Sequence, residues 1–160
     1  MMDQQGIFVK MALHAWQIQV DRATGFIDSL SEKEFYNETA PGKNRGIYLV
    51  GHLIAVHDLM PEILGFGTRS YPELQSIFLE VPDKTISNLP SVAVLKEAWT
   101  SVHQRLPTEF NKMPAETWFK RHESMTDVDF EKDPARNKLS VLLTRTNHLA
   151  YHLGQIRLLK

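Results

Sequence analysis

Two histidines, His148 and His152, stand four residues apart near the end of the chain. On a helix that spacing sets the side chains about 40° apart and ~6 Å along the axis, where two imidazoles can bind one metal ion. The spacing alone is a weak signal. A chain with seven His in 160 residues carries roughly 0.3 such pairs by chance, and two hydrogen-bonded or solvated histidines account for it equally well. His52 changes the weighing. Tyr48, Leu49, Ala55, Val56 and Leu59 surround it at helical spacing, on a face that should point inward. A lone histidine there is more often a satisfied core residue than a ligand. Three inward histidines on two facing helices, however, need polar partners once buried, and one ion would serve all three.

The composition limits what else could bind a metal. The chain has no cysteine, so disulfides, zinc fingers, iron–sulfur ligation and cysteine nucleophiles are excluded, and any transition metal must take nitrogen and oxygen ligands. Lys plus Arg number 18 and Asp plus Glu 19, a net charge of −1. That balance lacks the basic excess of a nucleic-acid binder. A chain of 160 residues suits one domain, residues 1–160, with a core that needs no staples. Asp3, Lys10, His14, Asp21, Arg22 and Asp28 break any apolar leader. No window approaches 18 uninterrupted apolar residues, so no membrane span is expected. The expected compartment is the cytoplasm.

Four helices must position the histidines. Phe8, Met11, Leu13, Ala15, Ile18, Phe26, Ile27 and Leu30 predict the first, over 6–30. The second runs over 46–64 and should kink or end near Met60, before Pro61, with Gly65 and Gly67 beyond. The third covers 92–111 behind a Ser91 cap, with Pro107 expected to kink or shorten it. The fourth covers 138–159 behind Asn137, so apolar all round that it should be central. Residues 76–81 could form a short strand, but no partner run is evident. The expected fold is all-α, a helix bundle. About 25 linker residues between the second and third helices can span a ~30 Å helix, a length that permits those two to run parallel, joined by a crossover. His52 lies ~9 Å from the start of the second helix and His152 ~12 Å from the chain's end, at 1.5 Å per residue. Those depths match if the second and fourth helices are antiparallel.

The remaining candidates carry less. His57 lies about 140° round the helix from His52, too far to share its site, and reads as a surface or rim residue beside Asp58. His14, His103 and His122 read as structural or solvent-facing, and Trp16, Trp99 and Trp118 as core anchors. The acidic run Asp127, Asp129, Glu131 and Asp133 lacks the Gly and terminal Glu of a calcium loop and reads as a solvated loop. No P-loop, nucleophile elbow or dinucleotide fingerprint is present.

Gly51-His52-Leu53, together with Asn147-His148 and Tyr151-His152-Leu153-Gly154-Gln155, resembles the DinB/YfiT superfamily over nearly the whole chain. The stretch NHLAYHLGQ is the specific part. The resemblance implies a four-helix bundle with a long crossover between helices two and three (up-down-down-up). It also implies a divalent metal on a three-His triad, which maps to His52, His148 and His152. Family members include thiol-dependent transferases and isomerases and metal-dependent hydrolases. Relatives often dimerise through exterior helix faces, so a homodimer is implied as well. Many relatives carry a Trp just before the helix-two motif, where this chain has Lys43-Asn44-Arg45-Gly46, so the entrance to the pocket should differ.

The expected function is a metal-dependent enzyme acting on a small-molecule substrate, a thiol-dependent S-transferase or a hydrolase. Its cofactor would be Zn²⁺ or Ni²⁺, with a low-molecular-weight thiol as co-substrate. Tyr48, Thr144 and Gln155 lie one turn from a ligand and either orient a substrate or hydrogen-bond the histidines. No general base is evident. The alternative is a metal- or small-ligand-binding bundle without turnover.

Overall fold

The computed structural model describes residues 3–160. In chain order its α-helices are α1 (Gln4–Ser29), α2 (Glu32–Phe35), α3 (Gly46–Asp58), α4 (Met60–Leu64), α5 (Leu74–Phe78), α6 (Val92–Phe110), α7 (Asp127–Lys132) and α8 (Lys138–Ile156). No strand occurs among the described residues. Three of the four long helices, α1, α6 and α8, begin on side chains suited to begin them, whereas α3 starts after Arg45 without a side-chain cap. Asp3 accepts the Gly6 N–H at 2.8 Å, Ser91 that of Val94 at 3.3 Å, and Asn137 that of Ser140 at 3.0 Å. Each satisfies an amide proton that the first helical turn leaves free. At Pro61 the second helix breaks as the ring demands, and α4 ends on Gly65 in the left-handed conformation, φ +80°. Pro107 is accommodated within α6 without ending it.

The long helices pack as a ring in which α1 meets α8, α8 meets α3, α3 meets α6 and α6 meets α1. Contacts at their ends give the directions. Lys160 at the end of the chain reaches Ser29 at the end of α1, so α1 and α8 are parallel. Lys138 at the start of α8 bonds the Leu64 carbonyl at the end of α4, so α8 is antiparallel to α3. Lys96, early in α6, bonds the Leu30 carbonyl just after α1, and Trp99 donates to Thr24, so α6 is antiparallel to α1. The order is up-down-down-up, with residues 65–91 crossing over between the two parallel helices.

Trp16, Trp99 and Trp118 are all fully buried in one connected core. The central helix is α3, not the fourth predicted helix. Ten of the thirteen α3 residues are buried, whereas α8 leaves Leu143 and Tyr151 exposed. The buried stripe of α8 is Leu139, Leu142, Thr146, Leu149, Leu153 and Ile156. That is an alternating three–four spacing that uses one face only. By length and composition Gly46–Leu64 could cross a membrane, but 67% of that window is buried inside the bundle, as expected of a core helix.

Three further expectations are corrected. Residues 76–81 contain the end of α5 and a turn rather than a strand. A short apolar run has no periodicity to separate the two, and Phe78 is buried as a helical residue. The acidic run forms α7, capped by Thr126, with Asp127 and Asp129 in the first turn, where the helix dipole favours them. His57 is not a rim residue but fully buried, because α3 has packed neighbours on the face opposite α8 as well. Its Nδ1 lies 2.9 Å from Nε2 of His103 on α6. Asp58 is buried too, and accepts the Ser70 and Tyr71 N–H groups at 2.9 and 2.7 Å.

Candidate metal centre

The crossover runs back along α3 and is stitched to it turn by turn. Asp58 holds residues 70 and 71. His52 meets the Phe78 carbonyl. The Tyr48 hydroxyl donates to the Val81 carbonyl at 2.7 Å. Arg45 pairs with Asp83 at 2.7 Å. Burial would raise the Asp83 carboxyl, but hydrogen bonds from the Arg45 guanidinium and backbone N–H outweigh it and hold its pKa below the ordinary value.

This arrangement explains Gly51. A Cβ added there would overlap the ring of Phe78, which is fully buried. Glycine lets α5 approach closely enough for the Phe78 carbonyl to reach His52. Gly51→Ala is therefore expected to push α5 off α3 and weaken metal affinity about 10–100-fold, the usual cost of losing a partner behind a ligand. Titration calorimetry beside the wild type checks this, and an unchanged affinity would contradict it.

The three histidines converge. Nε2 of His148 lies 3.2 Å from Nε2 of His52 and 3.0 Å from Nε2 of His152. The three candidate ligand atoms all fall within 4.8 Å of one another. Nitrogens bound at 2.0–2.1 Å to a tetrahedral zinc ion are about 3.3 Å apart, so the two edges at His148 need to open only slightly. The groups behind the rings set their tautomers. Nδ1 of His52 faces the Phe78 carbonyl at 3.0 Å, and Nδ1 of His152 faces Oε1 of Gln155 at 2.7 Å. Both partners are acceptors, so both Nδ1 atoms carry the proton and both Nε2 atoms present lone pairs. These lone pairs meet His148 Nε2, which in the neutral ring carries at most one proton. The cluster has more acceptors than donors, and a cation at its centre satisfies every Nε2.

The local electrostatics keep the rings in the form that ligates. Burial, then repulsion from His152, His52 and Arg145, pushes the His148 pKa down to about 4. Burial also lowers that of His152, against the Gln155 hydrogen bond. Neutral imidazoles bind metal without first losing a proton.

The other candidates fall differently. Tyr48 is half-buried, with its ring stacked 6.5 Å from that of His52 and its hydroxyl committed to Val81. Gln155 is committed to His152 and also donates to the Tyr151 hydroxyl at 3.3 Å. Thr144 is exposed, bonds the Ser140 carbonyl at 2.8 Å, and lines a cleft one turn earlier along α8. The Phe78 carbonyl escaped the sequence reading, since a backbone oxygen leaves no residue-type signal. Gly51 beside a histidine was the available hint.

A family model described as the DinB superfamily matches residues 15–156, which include all three histidines. A search of curated proteins finds no match.

Proposed function

The chain belongs to the DinB superfamily, and from that premise we propose that it is a divalent-metal enzyme acting on a small molecule, either by transferring a low-molecular-weight thiol or by hydrolysis. The observation that supports this most is the meeting of three Nε2 atoms at one point, with the proton of His52 held at Nδ1 by Phe78 and that of His152 by Gln155. Three imidazoles leave coordination positions open, and a bound Zn²⁺ or Ni²⁺ would there lower the pKa of a water or of a substrate thiol. With no cysteine in the chain, the sulfur of a thiol reaction comes from the substrate side. No carboxylate joins the three imidazoles among the described residues, so no protein general base is assigned. The Arg45–Asp83 and Tyr48–Val81 contacts hold the crossover against α3 and thereby fix His52. A cytoplasmic location and a homodimer belong to the same reading.

The test is turnover by zinc- and nickel-loaded protein, using glutathione with a chromogenic electrophile and separately nitrophenyl esters. Expected is metal-dependent turnover of one class that disappears in His52→Ala. Turnover that survives in His52→Ala after metal binding is lost would contradict the reading. Stoichiometric metal without turnover of either class would favour a non-catalytic binding protein.

A further inference from the structure

One helical turn before His148 along α8, a cleft of about 480 Å³ opens between the α7–α8 region and α4, lined by His122, Ser124, Arg136, Ser140, Thr144 and Arg145. Ile63 and Val141 give it an apolar side. Arg145 is half-buried, and its buried Nε has no hydrogen-bond partner. Among the described residues no carboxylate pairs with Arg145 or Arg136. Of the nearby acids, Asp133 accepts the Ala135 N–H at 3.3 Å, and the other two are paired with cations. Glu123 bonds Lys138 at 2.8 Å and lies 3.7 Å from Arg121, whose Nε also meets Asp127 at 2.7 Å. Nδ1 of His122 is a second buried polar atom without a partner.

A half-buried guanidinium without a counter-charge is costly, and its planar fork matches a carboxylate or phosphate. Burial, then the charges of Arg136, Lys138 and Arg121, lowers the His122 pKa against the opposing charge of Glu123. Burial lowers that of Arg145 as well. The unpaired Arg145 guanidinium, the exposed Arg136 beside it, the Ser124 hydroxyl and an unsatisfied ring nitrogen form a receptor for an oxyanion, while the Ser140 and Thr144 hydroxyls donate to backbone carbonyls. We propose that this cleft is an anion subsite that takes a carboxylate or phosphate group of the ligand, so that the small molecule acted on at the His triad is an acid. The substrate part rests on the proposed function; the anion site itself does not.

The test titrates inorganic phosphate, and separately succinate, into metal-loaded and chelator-stripped protein while following the Arg145 Nε–H resonance by NMR. Expected is a saturable shift with at least one of the two, retained in the stripped protein and weakened at least about tenfold in Arg145→Gln. Phosphate alone, succinate alone or both would say which oxyanion fits. No saturable shift, equal affinity in Arg145→Gln, or binding seen only with metal present would overturn the inference, the last because the anion would then sit on the metal. Anion binding without any turnover would leave the subsite standing and remove the enzyme reading, and turnover without anion binding the reverse.

Discussion

Replacing His148 with alanine is expected to abolish stoichiometric binding of a divalent ion. Its Nε2 is the shared corner of the cluster, 3.2 Å from that of His52 on α3 and 3.0 Å from that of His152 on α8. Without it two ligands remain on different helices, and the open side of the centre widens. The expected loss in zinc or nickel affinity is more than about 100-fold, beyond what removal of a partner behind a ligand costs. Titration calorimetry on metal-stripped protein measures it. His14→Ala, a change at an exposed residue of α1, should bind as the wild type does. Equal affinity in His148→Ala and wild type would place the metal elsewhere.

The second large effect is a loss of stability in mild acid. His57 and His103 are buried against one another, and His103 Nδ1 donates to the Trp99 carbonyl at 2.8 Å. Burial, then the neighbouring His103, holds the His57 pKa well below its ordinary value. Burial brings that of His103 down to about 4 despite its bond to Trp99. In the unfolded chain both protonate near pH 6.5. The unfolded state therefore gains protons that the folded state refuses, and stability falls as pH drops from about 6.5 toward about 4. His103 alone contributes on the order of 3 kcal/mol across that window. Urea melts of metal-free protein at a series of pH values should show the midpoint falling with pH. The double variant His57→Leu, His103→Leu should show a shallower fall, with the remainder coming from His122, His148 and His152 and, toward pH 4, from ion-paired carboxylates such as Glu62. The same pH slope in both proteins would contradict this account.

Much of the frame was legible in the residues because the signals were local. Ser91 and Asn137 announced helix starts, Pro61 announced a break, and each performs that task in the fold. The triad was legible for a different reason. Two of its members share one helix at ligand spacing, and the third lies inside an apolar pattern. What stayed hidden depends on neighbours far along the chain. His57 and His103 are 46 residues apart, and nothing in either segment marks them as a pair. The central role of α3 was open to view in its composition, since Gly46–Leu64 is apolar enough to cross a membrane although His52, His57 and Asp58 interrupt it. The fourth helix misled instead. Leu143 and Leu158 add apolar residues to it but remain exposed, so residue type overstated its burial. The cleft around Arg145 draws on α4, the segment before α7 and α8, which no periodicity in one segment could bring together.

The three imidazoles held by α3 and α8 are expected to share one ion. Anomalous diffraction from crystals grown with zinc tests it most directly. The account predicts a single strong peak per chain about 2.0–2.1 Å from Nε2 of His52, His148 and His152, with the His52 and His152 Nδ1 atoms still bonded to Phe78 and Gln155. A peak at other residues, or three histidines left hydrogen-bonded to one another in the presence of saturating zinc, would contradict it.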